Sequence, residues 1–137
     1  MAEISLTMAE QIAKVAGALQ LQSTGHAAKA VTVVLSGDTL VITLNGALSP
    51  AERAVSFHPA GAAKVQEFHR QLFANSSAAL REEITRITGV QVREAASEVE
   101  PVTGIVVHAF TSGNTVQVFQ LAESISAEDW AGTGKTR

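Results

Sequence analysis

The residues in this chain that could do chemistry are few, and their spacing must be weighed before their identity. Four histidines occur, His26, His58, His69 and His108, and no two stand at the i,i+4 spacing that puts paired metal ligands on one helix face. No carboxylate completes a recognised ligand spacing around them, so neither a metal nor any other cofactor is expected. The acids Glu82, Glu83, Glu94, Glu98 and Glu100 could act as general acids or bases. A solvated helix face and a polar loop account for them equally well. No Gly-x-Ser-x-Gly elbow is present. Near the C-terminus, Gly132-Thr-Gly-Lys-Thr136 imitates part of a phosphate loop. The glycine required five residues before Gly134 is replaced by Asp129, and the chain ends at Arg137 with no helix to follow. The remaining candidate is Gly46, Leu48, Ser49, Pro50 and Glu52. Ser49 is placed to cap a helix, Pro50 to occupy its first position and Glu52 to close a capping box. This stretch is a sufficient helix start by itself. As a ligand or partner motif, it would offer amide groups to an anion. The expectation is a protein without catalytic residues, with a small enzyme of unidentified reaction as an alternative.

Composition narrows the classes further. The chain has 137 residues, 46% of them hydrophobic, a formal charge of −3 and no cysteine. That length supports one domain with a single core. The negative balance and scattered cations argue against nucleic acid as a partner. Without cysteine there is no disulfide, thiolate chemistry or cysteine-based zinc or iron–sulfur site. No apolar run approaches the roughly 18–20 residues of a membrane span. The acidic N-terminal MAEISLTMAE does not read as a signal peptide. A soluble, cytoplasmic protein without direct membrane insertion is expected.

The elements that must position these residues are legible from periodicity. Thr7 and Glu10 form a capping box ahead of a helix whose stripe is Ile12, Val15, Ala16 and Leu19, ending at Ser23–Gly25. The β-branched runs Val31–Leu35 and Leu40–Leu44 flank Ser36-Gly-Asp-Thr39 as a hairpin. Val34 and Val41 are out of phase with the other apolar residues of these runs, the pattern of a sheet covered on both faces. A short helix begins at Ser49. A long helix then spans 59–88, with Val65, Phe68, Leu72, Ala79, Leu80, Ile84 and Ile87 as its stripe and Gly89 as terminator.

At 1.5 Å per residue this helix covers about 43 Å, more than the roughly 37 Å diameter of a compact domain of this size. Either Asn75-Ser-Ser77 kinks it, or its end meets a partner. A strand begins at Val90, a turn region covers 95–103, and Ile105–Phe110 pairs with Thr115–Gln120 as a second hairpin. The fold class is therefore α+β: an antiparallel sheet of four to five strands packed with an N-terminal helix and one long central helix. Residues 1–123 form the domain and 124–137 a flexible tail that Trp130 is placed to dock. The two-faced strands and the long helix predict a homodimer.

The ordered set of Gly25, Gly37-Asp38, the Gly46-x-Leu48-Ser49-Pro50-x-Glu52 piece and Ile87-Thr88-Gly89-Val90 resembles the family named for the C component of a membrane-potential-generating system (MpsC). The resemblance implies an accessory or regulatory protein of a membrane transporter for inorganic carbon, coupled to cation flux, and not the conduit itself. It carries over no catalytic residues. The alternative binding class is a small-molecule or anion sensor built on Ser49–Glu52.

Overall fold

The computed structural model describes residues 6–100 and 114–132. Helix α1 (Met8–Thr24) opens on the capping box: Glu10 N–H donates to Thr7 Oγ1 at 3.1 Å, and Thr7 N–H donates to Glu10 Oε1 at 2.8 Å. Gly25 ends it at φ 75°, a left-handed conformation that glycine adopts without a Cβ penalty. Strands β1 (Ala30–Ser36) and β2 (Thr39–Asn45) follow as the expected hairpin, pairing Val34 with Val41 and Leu35 with Leu40. Helix α2 (Pro50–Val55) and helix α3 (Pro59–Thr88) come next. Strands β3 (Val92–Glu100) and β4 (Asn114–Leu121) complete an antiparallel sheet in the order β1-β2-β4-β3. The expected α+β class is what the structure has.

Three readings of the sequence change. The segment 95–100 is strand, not turn, because β3 continues to Glu100 and pairs with β4 down to Asn114. The register shifts between Val92 and Glu94, so Arg93 forms a bulge near the start of β3. Asn75-Ser-Ser77 does not interrupt α3, which is one continuous helix of 30 residues. The buried stripe of α3 also runs differently: His69 is buried, whereas Phe68 is half-exposed and Ala79 faces solvent. The predicted strand Ile105–Phe110, with His108, lies outside the described residues, as does most of the phosphate-loop-like tail.

Both α1 and α3 pack on the same face of the sheet. That face presents Leu40, Ile42, Leu44, Phe119 and Leu121, all essentially inaccessible, against Ile12 of α1 and Ile84 and Ile87 of α3. Phe73 meets Phe119 edge-on, with centroids 6.0 Å apart. At the C-terminal end, Ser126 caps a short helix α4 (Ala127–Ala131), and its half-buried Trp130 packs against this core together with Ile125. On the opposite face, pairing aligns Val34, Val41 and Val118 in one row across β1, β2 and β4. Val34 is 53% and Val118 38% exposed, so no described element covers that row.

Candidate functional site

The candidate motif sits where the hairpin hands over to α2. Gly46 adopts φ 65°, and a Cβ there would lie 2.8 Å from Cγ of Lys29. This glycine thus serves two purposes: it turns the chain, and it lets the aliphatic stem of Lys29 lie directly across the backbone. The segment before β1 is held to the same turn. Lys29 N–H donates to the Asn45 carbonyl at 2.7 Å, and His26 Nε2 lies 3.1 Å from the Gly46 carbonyl oxygen. Because a carbonyl only accepts, Nε2 of His26 carries the hydrogen in that contact. Ala47 is buried, and its carbonyl accepts from Gln20 Nε2 of α1 at 3.2 Å. Leu48 packs with Val65 of α3 in a small second apolar cluster.

Ser49 and Glu52 form the expected capping box: Glu52 N–H donates to Ser49 Oγ at 3.2 Å, and Ser49 N–H donates to Glu52 Oε1 at 2.9 Å. The reciprocal bonds close the helix start on itself, so the Ser49 and Glu52 amides are engaged internally. The other carboxylate oxygen of Glu52 accepts from Nε2 of His69 at 2.9 Å. His69 is 5% exposed and the Glu52 side chain 19%, which makes this contact the buried polar link between α2 and α3. Burial alone would push the Glu52 carboxyl up. The Ser49 amide, the His69 ring and the Ser49 hydroxyl together outweigh it, leaving the carboxyl below its ordinary value. At the end of α2, Ser56 donates its hydroxyl to the Glu52 carbonyl at 2.7 Å. Gly61 in α3 leaves no room for a Cβ against the Val55 carbonyl, so the two helices meet backbone to backbone at this corner.

His69 was not picked out by sequence spacing. The available signal was its position four residues after Val65 on the stripe that continues to Leu80, Ile84 and Ile87. A more hydrophobic neighbour, Phe68, obscured it. The other candidates are dispersed. His58 is exposed at the N-cap of α3 and makes no side-chain capping bond. Glu82 and Glu94 face solvent, and Glu83 pairs with Arg86 at 2.7 Å. Among the described residues, no group of three or more His, Asp or Glu side chains is placed to hold a metal ion.

Beside the motif lies a cleft of about 360 Å³, between the segment carrying His26 and Lys29 and the outer side of α2. Gly46, Leu48, Pro50, Ala54 and Phe57 supply its apolar lining, and His26, Lys29 and Arg53 its polar one. Of the motif, then, Gly46, Leu48 and Pro50 face this cleft, while Glu52 is engaged with α3.

No helix among the described residues is long and apolar enough to cross a membrane. Comparison with curated proteins and with solved structures gives no match. Residues 5–113 match the family described as Na+-translocating membrane potential-generating system (MpsC), in keeping with the Gly46–Glu52 and Ile87–Val90 signatures, and the chain belongs to that family.

Proposed function

We propose that this protein is a non-enzymatic accessory or regulatory component of the membrane system for which its family is named, and that it works by association. The observation that carries the reading is the row of Val34, Val41 and Val118 on the sheet face opposite α1 and α3, exposed at Val34 and Val118 and partly buried at Val41. Contiguous apolar surface left in water is unfavourable, and on soluble domains it marks interaction sites. The family description supports a place beside a Na+-translocating membrane system. The proposal is a cytoplasmic homodimer that meets a transporter component, with uptake of inorganic carbon as the process served.

Two measurements test it. Light scattering of the purified chain is expected to give twice the 14.3 kDa chain mass. Affinity capture from native membranes, repeated under carbon limitation, is expected to recover a transporter component. A strict monomer at micromolar concentration, together with recovery of no membrane component, overturns the reading.

A further inference from the structure

We propose that the cleft beside α2 binds a small amphipathic organic anion: a carboxylate or phosphate group carried on an apolar body. The inference does not rest on the association reading, because it concerns a different surface.

The electrostatics of the cleft are its first support. Acidic residues outnumber basic ones in the chain, 13 to 10, yet neither Lys29 nor Arg53 has a carboxylate partner among the described residues. The acid adjacent to Arg53 in sequence is Glu52, and it is turned away into its bonds with Ser49 and His69. Two cationic side chains and the His26 ring therefore line the same cleft without neutralisation from α2. The site is also built. Gly46 exists in a conformation that seats the Lys29 stem, and the bond from Lys29 N–H to the Asn45 carbonyl fixes the segment that carries it.

The apolar lining supplies the second support. Phe57 is 81% exposed at the corner between α2 and α3, and Leu48, Pro50 and Ala54 lie beside it. A cavity of about 360 Å³ falls within the range of small-molecule sites, roughly 300–1,000 Å³. The Arg53 guanidinium can grip a planar carboxylate or a phosphate with two parallel N–H donors, and Lys29 adds a point charge. The ligand's apolar body then covers Phe57. An inorganic ion offers nothing to that wall. The amides of the short helix α2 are not needed, and those of Ser49 and Glu52 are already engaged by its capping box.

The test is an amide NMR titration of the full chain with benzoate and phenyl phosphate. Inorganic phosphate and neutral benzyl alcohol serve as controls, and phosphatidylglycerol vesicles form a separate arm. The expected result is saturable shifts at Lys29, Arg53 and Phe57 with the two aromatic anions, at a Kd of about a millimolar or below. Inorganic phosphate and benzyl alcohol should each bind more weakly by about tenfold, having lost one half of the recognition. Lys29→Gln combined with Arg53→Gln changes only exposed side chains and should weaken benzoate by about tenfold or more, with the rest of the amide spectrum unmoved. Equal binding of benzyl alcohol overturns the proposal, as does unchanged affinity in the double variant or no saturable shift. Binding to vesicles without binding to soluble anions also overturns it, assigning the surface to a lipid bilayer instead.

Discussion

Replacing Glu52 by alanine tests the internal link on which the α2 corner depends. The substitution removes two bonds at once, the one from Ser49 N–H at 2.9 Å and the one from His69 Nε2 at 2.9 Å. Loss of half a capping box costs about 1 kcal/mol. His69 is 5% exposed, so its ring N–H is left buried without an acceptor. That orphaned donor costs about 1–3 kcal/mol more, for a total of about 2–4 kcal/mol. His69→Leu should behave differently. Leucine keeps apolar volume in the site, and the Glu52 carboxylate, one-fifth exposed, retains both water and the Ser49 amide. Its expected cost is about 1 kcal/mol or less. The double variant removes donor and acceptor together and should be more stable than Glu52→Ala alone, by about 1–2 kcal/mol. Urea unfolding of the four proteins, with equal slopes, supplies the cycle. If Glu52→Ala costs under about 0.5 kcal/mol, or the two changes add to within that margin, the link does not hold the corner and the reasoning fails.

Acid should weaken the same link. The folded Glu52 carboxyl lies below its ordinary value, so its contribution to stability is present above the unfolded pKa of about 4.3 and is lost as pH falls through the lower folded value. The stability gap between the wild type and Glu52→Gln should accordingly narrow in urea titrations below about pH 4.3, and a gap that widens there would contradict the sign. On the open sheet face, Val34→Asp with Val118→Asp places charges at half-exposed sites and should yield a monomer by light scattering with unchanged circular dichroism. Gly46→Ala should cost about 1–2 kcal/mol in thermal or urea unfolding from its left-handed φ of 65° alone. It should also displace Lys29, whose Cγ would stand 2.8 Å from the new methyl, and so weaken benzoate binding.

The elements readable in the sequence were those whose determinants are local. Thr7 with Glu10 and Ser49 with Glu52 name their helix starts within four residues, and both boxes form. Gly25, Gly37, Gly46 and Gly89 mark ends and turns, and all four have positive φ. What was not readable depends on distant partners. Val-Arg-Glu-Ala-Ala-Ser-Glu-Val-Glu is a poor strand by propensity, yet residues 92–100 pair along β4 because the sheet offers an edge there. The insertion of β4 between β2 and β3 is likewise a matter of long-range pairing that no local window encodes. His69 turned inward because the phase of α3 against the sheet and α2 decides which flank is buried, and Glu52 supplies the acceptor that makes burial tolerable. Within the candidate motif, the sequence identified the capped helix start, with an anion at its amides as the alternative, but not the bond from His69 to Glu52. Capping and the link to α3 use them first.

The arrangement of charge on the sheet bears on how this protein would associate. An exposed strand edge invites pairing with another chain, and charged residues along it discourage such pairing. Strand β3 lies at one edge and carries Glu94, Glu98 and Glu100 in its sequence. Two β3 edges meeting would bring like charges together, which opposes continuation of the sheet through that side. The row Val34–Val41–Val118 carries no charge and runs across the sheet between its edges. Covering that row removes apolar area from water, with Glu94, paired to Gln120, at the margin of the same face. The proposed association would use a face whose central strands are β2 and β4. Val34 and Val41 break the phase of their neighbours because they belong to the opposite face of the sheet from the one on which α1 and α3 pack.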